Sequence, residues 1–468
     1  IGGTINIMTK GMGMERSFSV KQEVGNDLNF RTVLTGSTGR LKGNWNLQGA
    51  LSFRSNEGYV DGLRSQMFFY FAKINKELGN HTFSLSAFGA PQRSGQRSFY
   101  YDQSIEQLSK EQALALGIDT STNVVEHGNR YYFGWNHLVR TRTGNAVQDS
   151  LYANNIVGLD AHASANNLER EFMNTTENRF HKPVISFNHR WRASPKFYLN
   201  NLAYASFGQG GGTRAMVNGS TVNVNSADSA GQINLQLMYD QNAFNPAPSF
   251  TVENQGTTLR RSAYFIQRDH NDHSWYGLLS TFDWKLPAGL SLSGGADARY
   301  YNGRVYSTMD DLLGGDVYTA SDDLNRMANR LIFEGDTLRQ HIERDILWGG
   351  TFAMLEFKGE KISAFINLSG AINGYRQYNH FLERTLQVGD TTLNIGFGDT
   401  LNYQGQTYTQ GSEGLETNAT EWVVRPGYTV KAGMNYNFTK RQNAFFNVGY
   451  FSRVPYFTAL VRADNTLV

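Results

Sequence analysis

Leu290-Ser291-Leu292-Ser293-Gly294-Gly295-Ala296-Asp297-Ala298-Arg299-Tyr300 is the stretch on which the fold turns. Apolar or small residues stand at 290, 292, 294, 296, 298 and 300, against Ser291, Ser293, Gly295, Asp297 and Arg299. A period of two held this long marks a strand with one apolar and one wet face. Trp45 to Arg54 repeats the pattern, with Trp45, Leu47, Gly49, Leu51 and Phe53 on one side. Tyr428 to Phe438 repeats it again through Tyr428, Val430, Ala432, Met434, Tyr436 and Phe438. About thirteen segments carry this signature: 16–24, 28–38, 45–55, 65–76, 82–93, 180–192, 196–207, 274–286, 290–301, 344–357, 361–376, 422–438 and 443–454.

The connections between them alternate. Short turns stand at Gly39–Asn44, Glu77–Asn80, Ala193–Pro195, Pro287–Gly289, Gly359-Glu360 and Thr439–Gln442, with the Gly, Pro and Asn content of tight hairpins. Between them lie long links at 94–179, 208–273, 302–343 and 377–421. One edge of the sheet is therefore trimmed and the other carries large loops.

Alternating strands suit a soluble sandwich or a membrane barrel. Strand lengths near those of a tilted membrane crossing, link lengths that alternate, and rings near strand ends favour the barrel. Those rings are Trp45, Tyr59, Trp191, Trp275, Trp284, Tyr300, Tyr301, Tyr375, Trp422 and Tyr450. Composition agrees: of 468 residues 13% are aromatic, 48 are Gly and only 8 are Pro, while the mean hydropathy is −0.46. Such ring content excludes a disordered chain, and the lack of an apolar run of about 18 residues excludes a helical membrane protein. With no Cys there is no disulfide or thiolate chemistry, and a net charge of +2 gives no bulk field for nucleic acid. An odd strand number and an open apolar edge do not suit a closed barrel in lipid. We therefore expect the chain to be part of a larger barrel, cut at both ends, since it opens on Ile1 rather than Met and closes on Leu467-Val468 after a loop-like stretch.

The opening Ile1-Gly2-Gly3-Thr4-Ile5-Asn6-Ile7-Met8-Thr9-Lys10, followed by Gly11-Met12-Gly13, resembles the end of the plug in TonB-dependent outer-membrane receptors. There the motif reads Gly-Gly-hydrophobic-Ile-Asn-Ile-hydrophobic-Thr-Lys, and Gly2, Gly3, Asn6, Thr9 and Lys10 match it. Asn443 to Phe457 (NAFFNVGYFSRVPYF) resembles a mid-barrel strand of these receptors, particularly Bacteroidetes ones. The resemblance implies residues 1–13 as the plug end and 14–468 as part of an antiparallel all-β transmembrane barrel of about 22 strands. It implies residence in the outer membrane of a Gram-negative bacterium and active import of a scarce solute, with TonB, lipid, a small-molecule ligand and a surface lipoprotein as partners. No cofactor and no metal is implied, and the energy-coupling residues have no counterparts in this stretch. Receptors of the SusC type end the plug with a Thr-Thr-Lys-Lys-Gly pattern; the single Thr of Ile7-Met8-Thr9-Lys10-Gly11 leans toward a siderophore or vitamin receptor. A passive channel or porin, a SusC-type glycan or peptide importer, and an outer-membrane enzyme or adhesin are the alternatives.

Enzymatic motifs are wanting: there is no Gly-x-Ser-x-Gly elbow, Walker loop or His-Glu-x-x-His. The candidate ligand-binding segments are rich in rings and Arg, with Arg93, Arg97, Tyr100 and Tyr101 in the first and Arg130, Tyr131, Tyr132 and Trp135 in the second. Rings supply contact area and Arg supplies charge-assisted bonds to carboxylate, phosphate or catecholate, although the same residues also suit loop packing or a girdle. Gly208–Gly212 reads as a flexible loop, and Asp269–His273 as a solvated loop whose alternative is a cation site. Asp310, Asp311, Asp316, Asp322 and Asp323 read as solvated, with Ca²⁺ attraction the alternative. Gln107–Leu116 predicts a short helix capped by Ser104. Arg54, Lys73, Arg190, Arg299 and Lys431 are expected to face the lumen and pair with the plug or with neighbouring strands.

Overall fold

The computed structural model describes residues 15–97, 105, 108–121, 125–140, 170–222, 231–245 and 247–468. The plug-like opening, together with Tyr100, Tyr101 and Ser104, lies outside the described residues.

Thirteen strands form one antiparallel meander in which each pairs with the next in sequence. They are β1 Arg16–Gly25, β2 Asn29–Thr38, β3 Trp45–Asn56, β4 Ser65–Leu78, β5 His81–Gly89, β6 Val184–Ser194, β7 Phe197–Val217, β8 Tyr264–Lys285, β9 Leu290–Asp311, β10 Thr337–Lys358, β11 Ile362–Asn379, β12 Val423–Asn437 and β13 Asn443–Ser452. The number and the order are those expected from the period-two pattern. Directly opposed residues share a face, and the register keeps the apolar sets together across the whole wall. Phe53 faces Phe68, Tyr276 faces Tyr300, Leu292 faces Leu355 and Val430 faces Tyr450. These side chains are open on the outside of the sheet: Leu278 is 55% exposed and Ile372 54%. A soluble sandwich would cover such a face.

The central strands run beyond their alternating sequence. The long links expected at 208–273 and 302–343 are shortened by continuing strand, because β7 reaches Val217, β8 starts at Tyr264, β9 reaches Asp311 and β10 starts at Thr337. The physical reason is that both faces of these extensions meet water or loops. The ladder of hydrogen bonds continues while the pressure to alternate ends.

Two local expectations are corrected by this extension. Gly208–Gly212 is not a flexible loop; it lies within β7 and pairs with the short strand Glu177–His181 on one side and β8 on the other. A Cβ on Gly211 would stand 2.0 Å from the Asp269 carbonyl oxygen, so the glycine run serves close approach of strands. Asp269–His273 is likewise strand, not a solvated loop. The helix of the first long link is α1 Lys110–Ala115, capped by Ser109, whose hydroxyl accepts from Gln112 N at 3.1 Å. The capping box is Ser109 with Gln112, three residues apart, and the Ser104 cap expected from the sequence lies outside the described residues.

A second helix, α2 Leu235–Phe244, has no counterpart in the sequence reading. It buries Leu235, Met238, Tyr239 and Ala243 against Tyr131, Phe133, Leu138, Ile233, Ala215, Ile266 and Leu313. Asn242, fully buried, donates to the carbonyls of Tyr264, Leu312 and Leu313 and accepts from Ala263 N at 2.9 Å. One amide therefore ties the helix to two long links. The loop end of the wall has its own hydrophobic core.

Gly211→Val should strain the β7–β8 ladder and lower the temperature at which the folded form loses its heat-modifiable gel mobility, at a cost of about 1–3 kcal/mol. Gly370→Ala, where nothing lies within 4 Å of the added Cβ, should leave that temperature unchanged.

Candidate functional site

The face opposite the apolar set holds the side chains that a solute inside the barrel would meet. On β7, β8, β9 and β10 this wet face carries Tyr204, Trp275, Arg299, Tyr301 and Trp348. Gly277 stands directly between Tyr204 and Arg299, opposed to both. A Cβ there would come within 2.2 Å of the Tyr204 ring, so the missing side chain lets that ring lie flat across the strand. Tyr204 then meets Trp275 edge-on at 5.9 Å, and Trp275 meets Tyr301 edge-on at 6.2 Å. His273 stacks on Tyr301 at 5.7 Å. Beside this row Trp348 Nε1 donates to Asp297 Oδ1 at 2.7 Å, Arg299 pairs with Asp297, and the guanidinium lies 5.6 Å from the Trp348 ring centroid. Higher on the same face Arg344 Nε donates to Gln377 Oε1 at 2.9 Å.

This arrangement corrects part of the expected girdle. Trp275 and Tyr301 stand on the wet face, and Tyr375 is 4% exposed and packed on Phe457. Trp45, Trp191, Trp284, Tyr300 and Tyr450 are on the apolar face. Position near a strand end does not tell the two faces apart; counting parity from the neighbouring apolar residues does.

The Arg- and Tyr-rich loop segments are placed as follows. Arg93 pairs with Glu177, and Arg97 Nη2 donates to the Tyr131 carbonyl at 2.5 Å. Arg130 reaches Asp27 at 2.8 Å and covers the Tyr59 ring. Tyr131 and Tyr132 are 4% and 2% exposed; their hydroxyls bond Gly231 O and Thr176 Oγ1. Trp135 packs on Phe172 at 5.6 Å. The structure thus draws Tyr131, Tyr132 and Trp135 into loop packing and spreads the arginines over three different loop contacts.

Other candidates separate as well. In Asp269–His273 the strand alternates: Asp269 bonds Gln267, Ser307 and Arg214 on the wet face, while His270 and Asp272 turn to the apolar side with Tyr306. Alternation divides the donors between two faces, and among the described residues no group of three or more such side chains gathers to hold a metal. Asp310, Asp311, Asp322 and Asp323 are not merely solvated; they pair with Arg268, Arg140, Arg330 and Arg326, and Asp316 accepts from Arg260 N. Of the expected lumen cations, Arg299 pairs with Asp297, Arg54 donates to Asn29 at 3.0 Å, and Lys431 lies over the Phe365 ring.

Above the wall, burial opposes the charge of Arg140, yet the carboxylates of Asp311 and Glu171 hold its guanidinium above the usual range. Burial pushes the His137 and His341 imidazoles below theirs, helped by Arg170 and Arg64 for His137 and by the stacked His380 for His341. A depressed histidine favours the unfolded, protonated state once pH falls through the ordinary value of about 6.5. Stability from these two groups is therefore complete above that pH and lost below it. Limited proteolysis of the loops should accelerate between about pH 7.5 and 5.5, and His137→Asn with His341→Asn should reduce that acceleration.

As a sequence the chain matches no family model and no curated protein. As a structure it is similar to the ferric-catecholate import receptor Fiu from E. coli K12, open form, at a TM-score of 0.51 and 10% identity, covering 96% of this chain and 56% of that one. It is also similar to the ferripyoverdine receptor of the outer membrane of Pseudomonas aeruginosa bound to ferripyoverdine, at 0.51 and 10%, covering 98% of this chain and 45% of that one. The chain spans about half the length of these solved structures. With its thirteen-strand meander, apolar outer face and one loop-bearing end, the chain has the β-barrel fold of the TonB-dependent outer-membrane receptors.

Proposed function

We propose that the protein imports a scarce solute, a siderophore, a vitamin or a similar compound, actively across the outer membrane, with TonB as its energy-coupling partner. The observation that carries this reading is the lumen wall at Tyr204, Trp275, Tyr301, Arg299 and Trp348, where edge-on rings are set beside a guanidinium group. A wall of this kind offers broad aromatic contact and charge-assisted bonds to one solute, whereas a passive pore needs only wetting. Of the two similar receptors one imports ferric-catecholate and the other binds ferripyoverdine, and anionic, ring-bearing metal complexes are what rings and arginines suit. The loops, packed on α2, capture the solute. TonB, drawing on the inner-membrane proton gradient, then displaces the plug, and no chemistry is done on the ligand. A surface lipoprotein acting as a lid belongs to the same reading.

The exposed apolar face supports a wall set in lipid. Since an open sheet edge has no hydrogen-bond partners there, β1 and β13 must each meet another strand. Uptake of a panel of labelled ferric siderophores and vitamins, in cells with and without TonB, tests the proposal. Uptake of at least one compound should require both this protein and TonB, and Trp275→Ala or Arg299→Ala should lower it severalfold. Uptake indifferent to TonB would make the protein a passive channel.

A further inference from the structure

A cavity of about 520 Å³ lies at the loop end, between the links 312–336 and 380–422. It is separate from the lumen row. His341, which lines it, is directly opposed to Tyr306, and parity from Leu347 sets His341 on the face turned away from Trp348.

The walls are held in place by the chain itself. Leu324 N donates to the Phe381 carbonyl at 2.9 Å, and Phe397 N donates to that of Leu324 at 2.8 Å. The Asn325 amide donates to the carbonyls of His380 and Leu382, at 3.2 and 2.7 Å, and accepts from Arg384 N at 3.1 Å. Two residues of one link thus knit it to the other, so the gap between them is kept open. His380 stacks on His341 at 4.2 Å and ties the cavity to the top of β10.

Two kinds of lining meet there. Phe381 is buried beneath Arg330, whose guanidinium lies 5.8 Å from the ring centroid. Phe397 and Met327 line the same space yet stand 52% and 61% exposed. Large apolar side chains left to water beside a cavity mark a surface that a ligand covers. The charge is uneven as well. Arg330 meets Asp322 and Arg326 meets Asp323, each at 3.4 Å, whereas the exposed Arg384 has no ion pair among the described residues. Gln410 Nε2 is held by the Asn325 carbonyl at 2.6 Å, which leaves the Gln410 side-chain oxygen to accept from a hydroxyl.

We propose that this cavity binds a sugar acid, a pyranose bearing a carboxylate. Arg384 takes the carboxylate, Phe397 covers the C–H face of the ring, and Gln410 accepts from a ring hydroxyl. A plain anion would leave the apolar side chains uncovered, and a neutral sugar would leave Arg384 unanswered. The volume lies within the roughly 300–1,000 Å³ of small-molecule sites. Because the cavity stands apart from the lumen, the inference needs neither TonB nor import, and failure of either leaves it to be judged on its own.

The full chain, purified in a neutral detergent, is titrated with glucuronate, glucose or acetate, and binding is read by saturation-transfer NMR. Glucuronate should bind roughly tenfold or more tightly than glucose, the worth of one charge-assisted contact. Arg384→Gln should abolish that preference. Its guanidinium has no ion pair to lose, so folding survives, as heat-modifiable gel mobility would show. If it does not fold, Arg326→Gln is read in its place and should reduce the preference severalfold. Phe397→Ala should weaken glucuronate severalfold, and Lys440→Gln, in a short turn at the other end of the wall, should change nothing. A polymer ending in glucuronate is offered separately. Binding of either form over its neutral counterpart supports the site, and the form that binds identifies the source. Equal binding of glucuronate and glucose, or an unchanged preference in the folded variants, would overturn the proposal. Acetate that competes as well as glucuronate would overturn it too, since the sugar ring would then contribute nothing.

Discussion

In lipid no water stands ready to bond a peptide group, so every backbone N–H and C=O of a membrane wall must be satisfied by a neighbouring strand. That single demand organises this molecule. It requires strands to be laid edge to edge in order, which the meander from β1 to β13 does. It leaves the two faces free for other purposes. Because side chains alternate, the backbone ladder can be identical everywhere while one face is apolar and the other is built for solutes.

The same constraint explains where glycine is used. At Gly277 the missing side chain makes room for the Tyr204 ring on the wet face. At Gly208–Gly212 three strands converge, and the run lets β7 accept the short strand Glu177–His181 and β8 at once. Neither position is a hinge. Each trades side-chain packing on its own strand for a closer approach by a neighbour, which the ladder tolerates because its hydrogen bonds do not depend on the side chain.

Legibility in the sequence followed the same physics. Where one face meets lipid, alternation is enforced, and strands such as β3, β9 and β12 could be placed from Leu47, Leu292 or Val430 and their neighbours. Above the band both faces are wet or covered by loops, so Asp269–His273 carries no alternation although it is strand. Face assignment at the rim was lost for a related reason: Trp275 and Tyr276 are adjacent rings, and only their parity relative to Leu278 tells that one looks into the lumen and the other outward. Helix α2 was hidden because nearly all of its surface is covered by loop residues far away in sequence, Tyr131 and Leu313 among them, so no amphipathic stripe marks it. The capping box of α1 is legible in the sequence as Ser109 with Gln112, a hydroxyl and an amide three residues apart.

Function divides along the two faces. Beside the lumen row from Tyr204 to Tyr301, Asp297 is held by Trp348 and Arg299 together, so that cluster is satisfied from within. Preorganisation of this kind favours selectivity, since a ligand need not order the rings it stacks upon. On the outer face Glu177 pairs with both Arg93 and Arg179. Under the proposed import, pairing of this kind within the wall leaves the solute's own contacts weak enough to break, which release on the far side requires.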